Sequence, residues 1–370
     1  MQKKEAIVYW PFSVYKEVHK YKDPGEIPRE LSLLGYNTRL IVGRADFKAN
    51  HEFEITETHN VKGNPIVLQI KESLFFIRLL NKYNTNISFF LTFHDSIASL
   101  ISGIIVKLHN YFSNKNSPEE KVIMKLDWDG NMKGYSYFKK LYRVIKLMLA
   151  SFIFDKIITE TRCGYDSLKF VPFLKKKLVI IPNGYAEDIY RPVDYSSERR
   201  ENVILSVGRI ARQKDYETCI RAFNEVHKLY PDWVLKIVGP IEDKQYYIIL
   251  KELVQSLNLE DSVIFTEYLP LDQLIKLYRS SKIYCSSSLY ENSSISRIEA
   301  TINGLPVVAT STGCATDVDG WFVVNIGDWK ALANVIISLI NDEQKAEISV
   351  RIAQSSLLSW KDVVQKMIML

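Results

Sequence analysis

At 370 residues the chain is long for one hydrophobic core, so two domains of ordinary size are expected. Hydrophobic residues make up 47% and charged residues 25%, which excludes a disordered or fibrous chain. Cys163, Cys219, Cys285 and Cys314 lie far apart with no CxxC pair, which argues against a zinc framework and for reduced thiols in a cytoplasmic-type compartment.

The N-terminal MQKKEAIVYWPF has a short apolar run and no small-residue cleavage site, so no signal peptide is expected. EAIVYW, TRLIVG, NISFFLTF, VIMKLDW, KIITET and LVIIP then read as strands, with helical segments between most of them. The most apolar window, residues 87–106, is long enough to span a bilayer but carries His94 and Asp95 at its middle. It reads better as a strand, a turn and a helix.

Charge is unevenly spread. Residues 1–190 hold 28 Lys and Arg against 20 acids, and the window 131–178 alone holds 11 against 3. Such a run is usually a solvated face. FKKLYRVIKLMLASFIF (138–154) also interleaves cations with apolar residues in the manner of an interfacial helix, which raises an anionic membrane surface as a partner. After LVIIPNG, the polar YRPVDYSSERREN reads as a linker.

The alternation then restarts. NVILSVG is a strand, and DYETCIRAFNEVHKLY a helix with Ile220, Phe223, Val226 and Tyr230 near one face. WVLKIVG, SVIFTEYL, IYCSSS and LPVVAT follow as strands with helices between them, SISRIEATI among the helices. Two successive series of this kind imply two doubly wound parallel sheets, whose ligands sit beyond the carboxyl ends of the strands. With two such domains, the space between them is the default site.

Two segments of the second half carry candidate chemistry. In VILSVGRIARQKDYET a strand runs into Gly208 and Arg209, with Lys214 at or before the next helix, where cations and free N–H groups suit a phosphate. The pattern is neither GxGxxG nor GxxxxGK[ST], and alone it also fits solvated surface cations. In YENSSISRIEA, Glu291 precedes a helix, Ser293, Ser294 and Ile295 stand at its start, and Glu299 lies about one turn inside. Two carboxylates there suit vicinal sugar hydroxyls, while a serine N-cap with a solvent-facing glutamate is the plainer reading.

The region 202–345 resembles the donor domain of retaining glycosyltransferases of family 4, which have the GT-B fold of two Rossmann-like domains facing across a cleft. The matching pieces are VGRI…QK, LKIVG, VIFTEYLP, LIKLYRSSKIYCSSSLYE, ENSSISRIE, EATINGLPVVAT and IGDWKALANVIISLI, in the family's order. The resemblance implies an acceptor-binding domain over 1–190, a donor-binding domain over 191–358, and a C-terminal helix at 359–370 packing back toward the first domain. It implies transfer of a sugar, with retention, from a nucleoside-diphosphate sugar to a glycan, lipid-linked or other hydroxyl acceptor, with no obligatory metal and no nucleic-acid partner. A cytoplasmic enzyme follows, peripheral to the inner face of the membrane if the basic window meets lipid.

By the same resemblance, Arg209 and Lys214 would bind the donor diphosphate and stabilise it as leaving group. Glu291 would hold sugar hydroxyls, Ser293, Ser294 and Ile295 would meet phosphate or sugar, and Glu299 would accept from the ribose. Gly208 belongs to the phosphate turn, while Gly239, Tyr268 and Leu269 would bound the base. Gly25 stands where the family has a glycine-rich loop.

The chain also departs from the pattern. Ser293-Ser294 replace a frequent Phe-Gly, Asp215 replaces a small residue, and Asp127 occupies the place of a frequent strand-end histidine. His94, at the end of the preceding strand, is the other candidate to orient or polarise the reacting sugar. Two alternatives remain at this point. One is a metal-dependent GT-A-like transferase using Asp127 and Asp129 as a DxD motif. The other is a non-catalytic GT-B module that binds a nucleotide sugar or glycan.

Overall fold

Runs such as AIVY and FFLTF place apolar residues at successive positions, the pattern of a strand covered on both faces. In the computed structural model, which describes residues 4–47, 52–59, 64–81, 86–113, 120–128 and 136–370, these runs become the strands of two parallel sheets. The chain divides into two units, Met1–Ala186 with Leu358–Leu370, and Glu187–Leu357.

The first unit runs β1 (Glu5–Tyr15), α1 (Asp23–Leu33), β2 (Asn37–Ala45), β3 (Glu54–Glu57), α2 (Pro65–Leu80), β4 (Ile87–Phe93), α3 (Ile97–Phe112), β5 (Lys121–Leu126), α4 (Tyr137–Ile153), β6 (Lys156–Thr159), α5 (Arg162–Leu168) and β7 (Leu178–Ile180). Its seven strands lie in the order β3-β2-β1-β4-β5-β6-β7 and pair in parallel throughout. The chain builds outward from β1 to β3, then returns to β4 and builds the other way. The switch therefore falls between β1 and β4. Ile7, Phe90, Val106, Met124 and Ile157 are fully or almost fully buried in its core. The apolar window 87–106 is β4, a turn and most of α3, with Ser96 Oγ accepting from Ser99 N at 3.0 Å as the helix cap.

The second unit runs β8 (Val203–Val207), α6 (Tyr216–Leu229), β9 (Val234–Val238), α7 (Lys244–Ser256), β10 (Val263–Thr266), α8 (Leu271–Ser280), β11 (Ile283–Ser286), α9 (Ile295–Ile302), β12 (Val307–Thr310), β13 (Phe322–Val324), α10 (Trp329–Asn341) and α11 (Glu343–Ser356). Its order is β10-β9-β8-β11-β12-β13, again all parallel, with the switch between β8 and β11. Ile220, Phe223 and Val226 on α6 are buried, while Tyr230 is only half-buried beyond the helix end.

The stretch that reads as a linker is folded into this unit. Arg200 donates to the carbonyls of Tyr195 at 2.7 Å, Arg279 and Ser281 at 2.9 Å each, and Asn303 at 3.1 Å. Its polar composition serves backbone carbonyls at element ends rather than solvent.

The C-terminal α12 (Trp360–Met369) rejoins the first unit, packing on α1. Tyr185 N donates to Leu358 O at 3.1 Å and Trp360 N to Tyr185 O at 3.0 Å. Gly184 permits this approach, because a Cβ there would lie 2.6 Å from Trp360 N.

One buried cation ties the carboxyl edge of the first sheet together. Lys125, 1% exposed at the end of β5, pairs with Glu160 after β6 and donates to Asp23 Oδ2 and Asn183 Oδ1, both at 3.0 Å. Burial by itself would lower the ammonium pKa; Asp23 and Glu160 outweigh it and hold the pKa above its ordinary value. Burial raises the Glu160 carboxyl, and Asp127 and Asp23 add to that rise against the pull of Lys125. Lys125→Met should therefore destabilise the chain by about 3–5 kcal/mol in a urea melt, because the buried Glu160 loses the cation it is paired with. Adding Glu160→Gln should recover a measurable part; if the double variant is no more stable than the single one, the tie is not what matters.

Candidate functional site

Two turns meet on the carboxyl edge of the second sheet, beside its switch point. Gly208 follows β8 and donates its N–H to Val238 O at 2.9 Å, and Gly239 follows β9 and donates to Thr266 O at 2.9 Å. Gly239 adopts φ 150°, and a Cβ there would fall 2.1 Å from Gly208 O, so the contact requires glycine. Arg209 projects from the first turn, half-exposed and paired with Glu242.

Residues Arg212–Lys214 form a single tight turn, and Asp215 closes it in the left-handed region at φ 47°. Thr218 Oγ1 donates to the Asp215 carboxylate at 2.7 Å, and burial raises that carboxyl's pKa. The Lys214 side chain folds back over Gly208, where a Cβ would meet Lys214 Cε at 2.9 Å.

The segment after β11 is stapled to this turn. Ser287 Oγ donates to Lys214 O at 3.0 Å and Asp215 O at 2.8 Å, while Leu289 N donates to Gln213 O at 2.8 Å. The staple delivers Glu291 to Lys214, and the carboxylate and ammonium form a direct ion pair, both largely shielded from solvent. Ser288 Oγ donates to the same carboxylate oxygen at 2.9 Å. Burial would raise the Glu291 pKa; Lys214, through charge and hydrogen bond, then Arg297 and Ser288, outweigh it and hold the pKa below the ordinary carboxylate value.

Beyond Glu291, Ser294 is the buried N-cap residue of α9 and makes no side-chain cap bond, and Ile295 is the first helical residue. Ser293 Oγ is buried with no hydrogen-bond partner among the described residues. Glu299 does not face solvent unpartnered: it accepts from Tyr190 OH at 3.0 Å and Tyr278 OH at 3.1 Å. Gly313, at φ 56°, lets the loop after β12 close on this segment, with Cys314 N donating to Asn292 O at 2.9 Å. Tyr268, 68% exposed, and half-buried Leu269 lie in the turn between β10 and α8.

Sequence reasoning missed Arg297. Fully buried, it donates to Ser286 Oγ at 3.0 Å, Thr312 O at 3.0 Å and Thr312 Oγ1 at 2.9 Å. Its signal was an arginine on the apolar face of SISRIEATI, next to Ile298 and one turn before Thr301. Tyr190, Tyr278 and Ser288 were missed as well, and they carry no local signal.

The remaining candidates belong to the first unit. His94 ends β4 with φ 65°, and its N–H donates to Lys125 O at 2.9 Å. Desolvation lowers its imidazole pKa against the opposing fields of Asp127 and Asp23. His94, Asp127, Asp23 and Glu160 thus share one sheet edge. Gly25 lies in the first turn of α1, where a Cβ would meet Lys20 O at 2.3 Å. Asp129 is outside the described residues.

Residues 192–355 match the family described as glycosyl transferases group 1. That region is most of the second unit. Mannosylfructose-phosphate synthase of Agrobacterium fabrum is 32% identical over 173 residues, covering 43% of this chain and 38% of the relative. The chain thus spans less than half the length of the first curated relatives it matches.

Whole-chain likeness comes from structure. Sucrose-phosphate synthase from Thermosynechococcus elongatus superposes with a TM-score of 0.71 at 19% identity, over 98% of this chain and 97% of that one. Anabaena HepE, in complex with UDP and glucose, gives 0.72 at 16% identity over 98% of each chain. The fold is GT-B, two Rossmann-like units.

Folding lowers the Glu291 pKa, so its carboxylate contributes stability above the ordinary value of 4.5 and that contribution is lost as pH falls through the lowered pKa. The melting temperature of the chain minus that of Glu291→Gln should hold steady through neutral pH and shrink as pH falls below the ordinary carboxylate value of 4.5. A difference that instead grows on acidification contradicts the pairing with Lys214.

Proposed function

We propose that the chain is a retaining glycosyltransferase that moves a sugar from a nucleoside-diphosphate sugar to a hydroxyl of a glycan, lipid-linked or other acceptor, without an obligatory metal. The observation that carries this reading is the Lys214–Glu291 pair at the switch of the second sheet, with Arg209 beside it. A diphosphate oxygen competing for the Lys214 ammonium would release Glu291 to accept from hydroxyls of the transferred sugar. Arg209 would exchange Glu242 for the same diphosphate.

As the glycosidic bond breaks, negative charge grows on the departing diphosphate, and Lys214 and Arg209 would be fixed in place to receive it. Arg297 adds a buried positive field beneath the segment from Glu291 to Ser294, and the unpartnered Ser293 hydroxyl supplies a donor for phosphate or sugar. Glu299, held by two tyrosines, would accept from the ribose, with Gly239, Tyr268 and Leu269 bounding the base. On the first unit, Asp127 or His94 would orient the reacting sugar. We place the enzyme in the cytoplasm, peripheral to the inner face of a membrane.

UDP and glucose are held by a structure of like fold, so UDP-sugars head the donor panel, with GDP-, ADP- and dTDP-sugars after them. The chain should release nucleoside diphosphate from one of these in the presence of a suitable acceptor. Lys214→Ala and Glu291→Ala should each slow that release about a hundred-fold or more at a temperature where both variants remain folded, as their melting curves show. Tight donor binding without release for every acceptor tried would replace the enzyme with a binding module.

A further inference from the structure

Three neighbouring helices of the first unit carry apolar stripes that face solvent. On α4 the residues Phe138, Leu141, Ile145, Leu149 and Phe152 recur at helical spacing and are all exposed, while Leu147, Ala150 and Ser151 form the buried side. On α3 the exposed set is Ile97, Ile104, Leu108, Tyr111 and Phe112, and on α2 it is Val67, Ile70, Leu74 and Ile77. α2 packs beside α3 and α3 beside α4, so the stripes are neighbours. Phe173 extends the patch, its ring 5.3 Å from that of Phe152. Scattered exposed apolar residues need no explanation, but three aligned stripes do.

The exposed charges on the three helices are basic, and Asp155, just after α4, is partly exposed and paired with Lys107 of α3 at 2.7 Å. α3 and α4 contain no acidic residue, and the single acid of α2, Glu72, is 1% exposed and bonded to Tyr9 and Thr58. Lys71, Arg78, Lys139 and Lys140 are exposed on the same helices, and Lys175 and Lys176 follow Phe173. Arg143 and Lys146 do not contribute, because both turn inward to Asp95 at 3.2 Å. A second copy of the chain would meet this face with the same cations and no exposed acid on these helices to pair with them. No helix of the described residues is long and apolar enough to cross a membrane.

We infer that the exposed face of α2, α3 and α4 is a docking surface for anionic lipid, with Phe138, Phe152 and Phe173 entering the interface and Lys139 and Lys140 meeting the headgroups. This deepens the peripheral position proposed above by naming the surface, and it does not depend on the donor chemistry.

The test is sedimentation of the full chain, without nucleotide sugar, with vesicles of phosphatidylcholine alone or with about one-third phosphatidylglycerol. Binding should favour the anionic vesicles and weaken with added salt. Lys139→Glu with Lys140→Glu should weaken it at least about ten-fold, at about 1 kcal/mol for each lysine lost and more for each charge reversed. Phe138→Ser with Phe152→Ser should also weaken it, with an unchanged melting temperature because both rings are exposed. Equal or absent binding to the two vesicle types overturns the inference, as does binding that neither variant alters. A dimer that the phenylalanine variant dissociates, without vesicle binding, assigns the face to a second copy and also overturns it. Loss of nucleotide release with vesicle binding intact would count against the transferase reading alone.

Discussion

Parallel strands all end on the same edge of their sheet, and each return to the other edge requires a crossover. The candidate site depends on this constraint. Lys214 and Glu291 are 77 residues apart in sequence, yet they follow β8 and β11, neighbours at the point where strand order reverses. At that point the crossover helices diverge and leave the strand ends uncovered. The geometry therefore requires little of the local sequence beyond residues that can lie close. Gly208 and Gly239 meet that requirement by letting two turns touch, and Ser287 meets it by tying the later turn to the earlier one.

The two units hold buried cations in different ways, with different consequences for their sheet edges. Lys125 is bonded to carboxylates, so its charge is consumed within the network. Arg297 is bonded to a serine hydroxyl, a threonine hydroxyl and a carbonyl, all neutral. Its charge is satisfied in hydrogen bonds but not cancelled, and it contributes to holding the Glu291 carboxyl ionised. An anion would therefore be favoured at the edge of the second sheet, which supports the proposed diphosphate there.

Much of this architecture is legible in the sequence because buried parallel strands need unbroken apolar runs. β3 escapes for the same reason: Glu54–Glu57 is an edge strand, and EITE carries charge at both ends. Glu291 and Glu299 were legible as a bracketed pair, but the partners that define Glu299 were not. Tyr190 lies 109 residues from it and Tyr278 lies 21, and neither distance follows from a local pattern. The stretch holding Arg200 failed differently: arginine, serine and glutamate read as solvated chain, whereas this guanidinium caps carbonyls at the ends of α8 and α9 and that of Tyr195. Composition reports polarity and not what the polarity is bonded to.

Helix α4 shows a related limit of periodicity. Its sequence has cations and apolar residues interleaved, and such a pattern fits a helix packed on a sheet as well as one lying at an interface. The fold separates the two populations. Arg143 stacks on Trp128 at 3.7 Å and pairs with Asp95, which fixes that side of the helix against the protein. Once one apolar stripe and two of the cations are turned inward, the other stripe must face outward with Lys139 and Lys140. A helix with apolar residues on both sides cannot be satisfied by one sheet alone. The adjoining stripes of α2 and α3 do not cover it, since they are themselves exposed. The unsatisfied area is thus a property of the layer of three helices, and nothing among the described residues removes it from water.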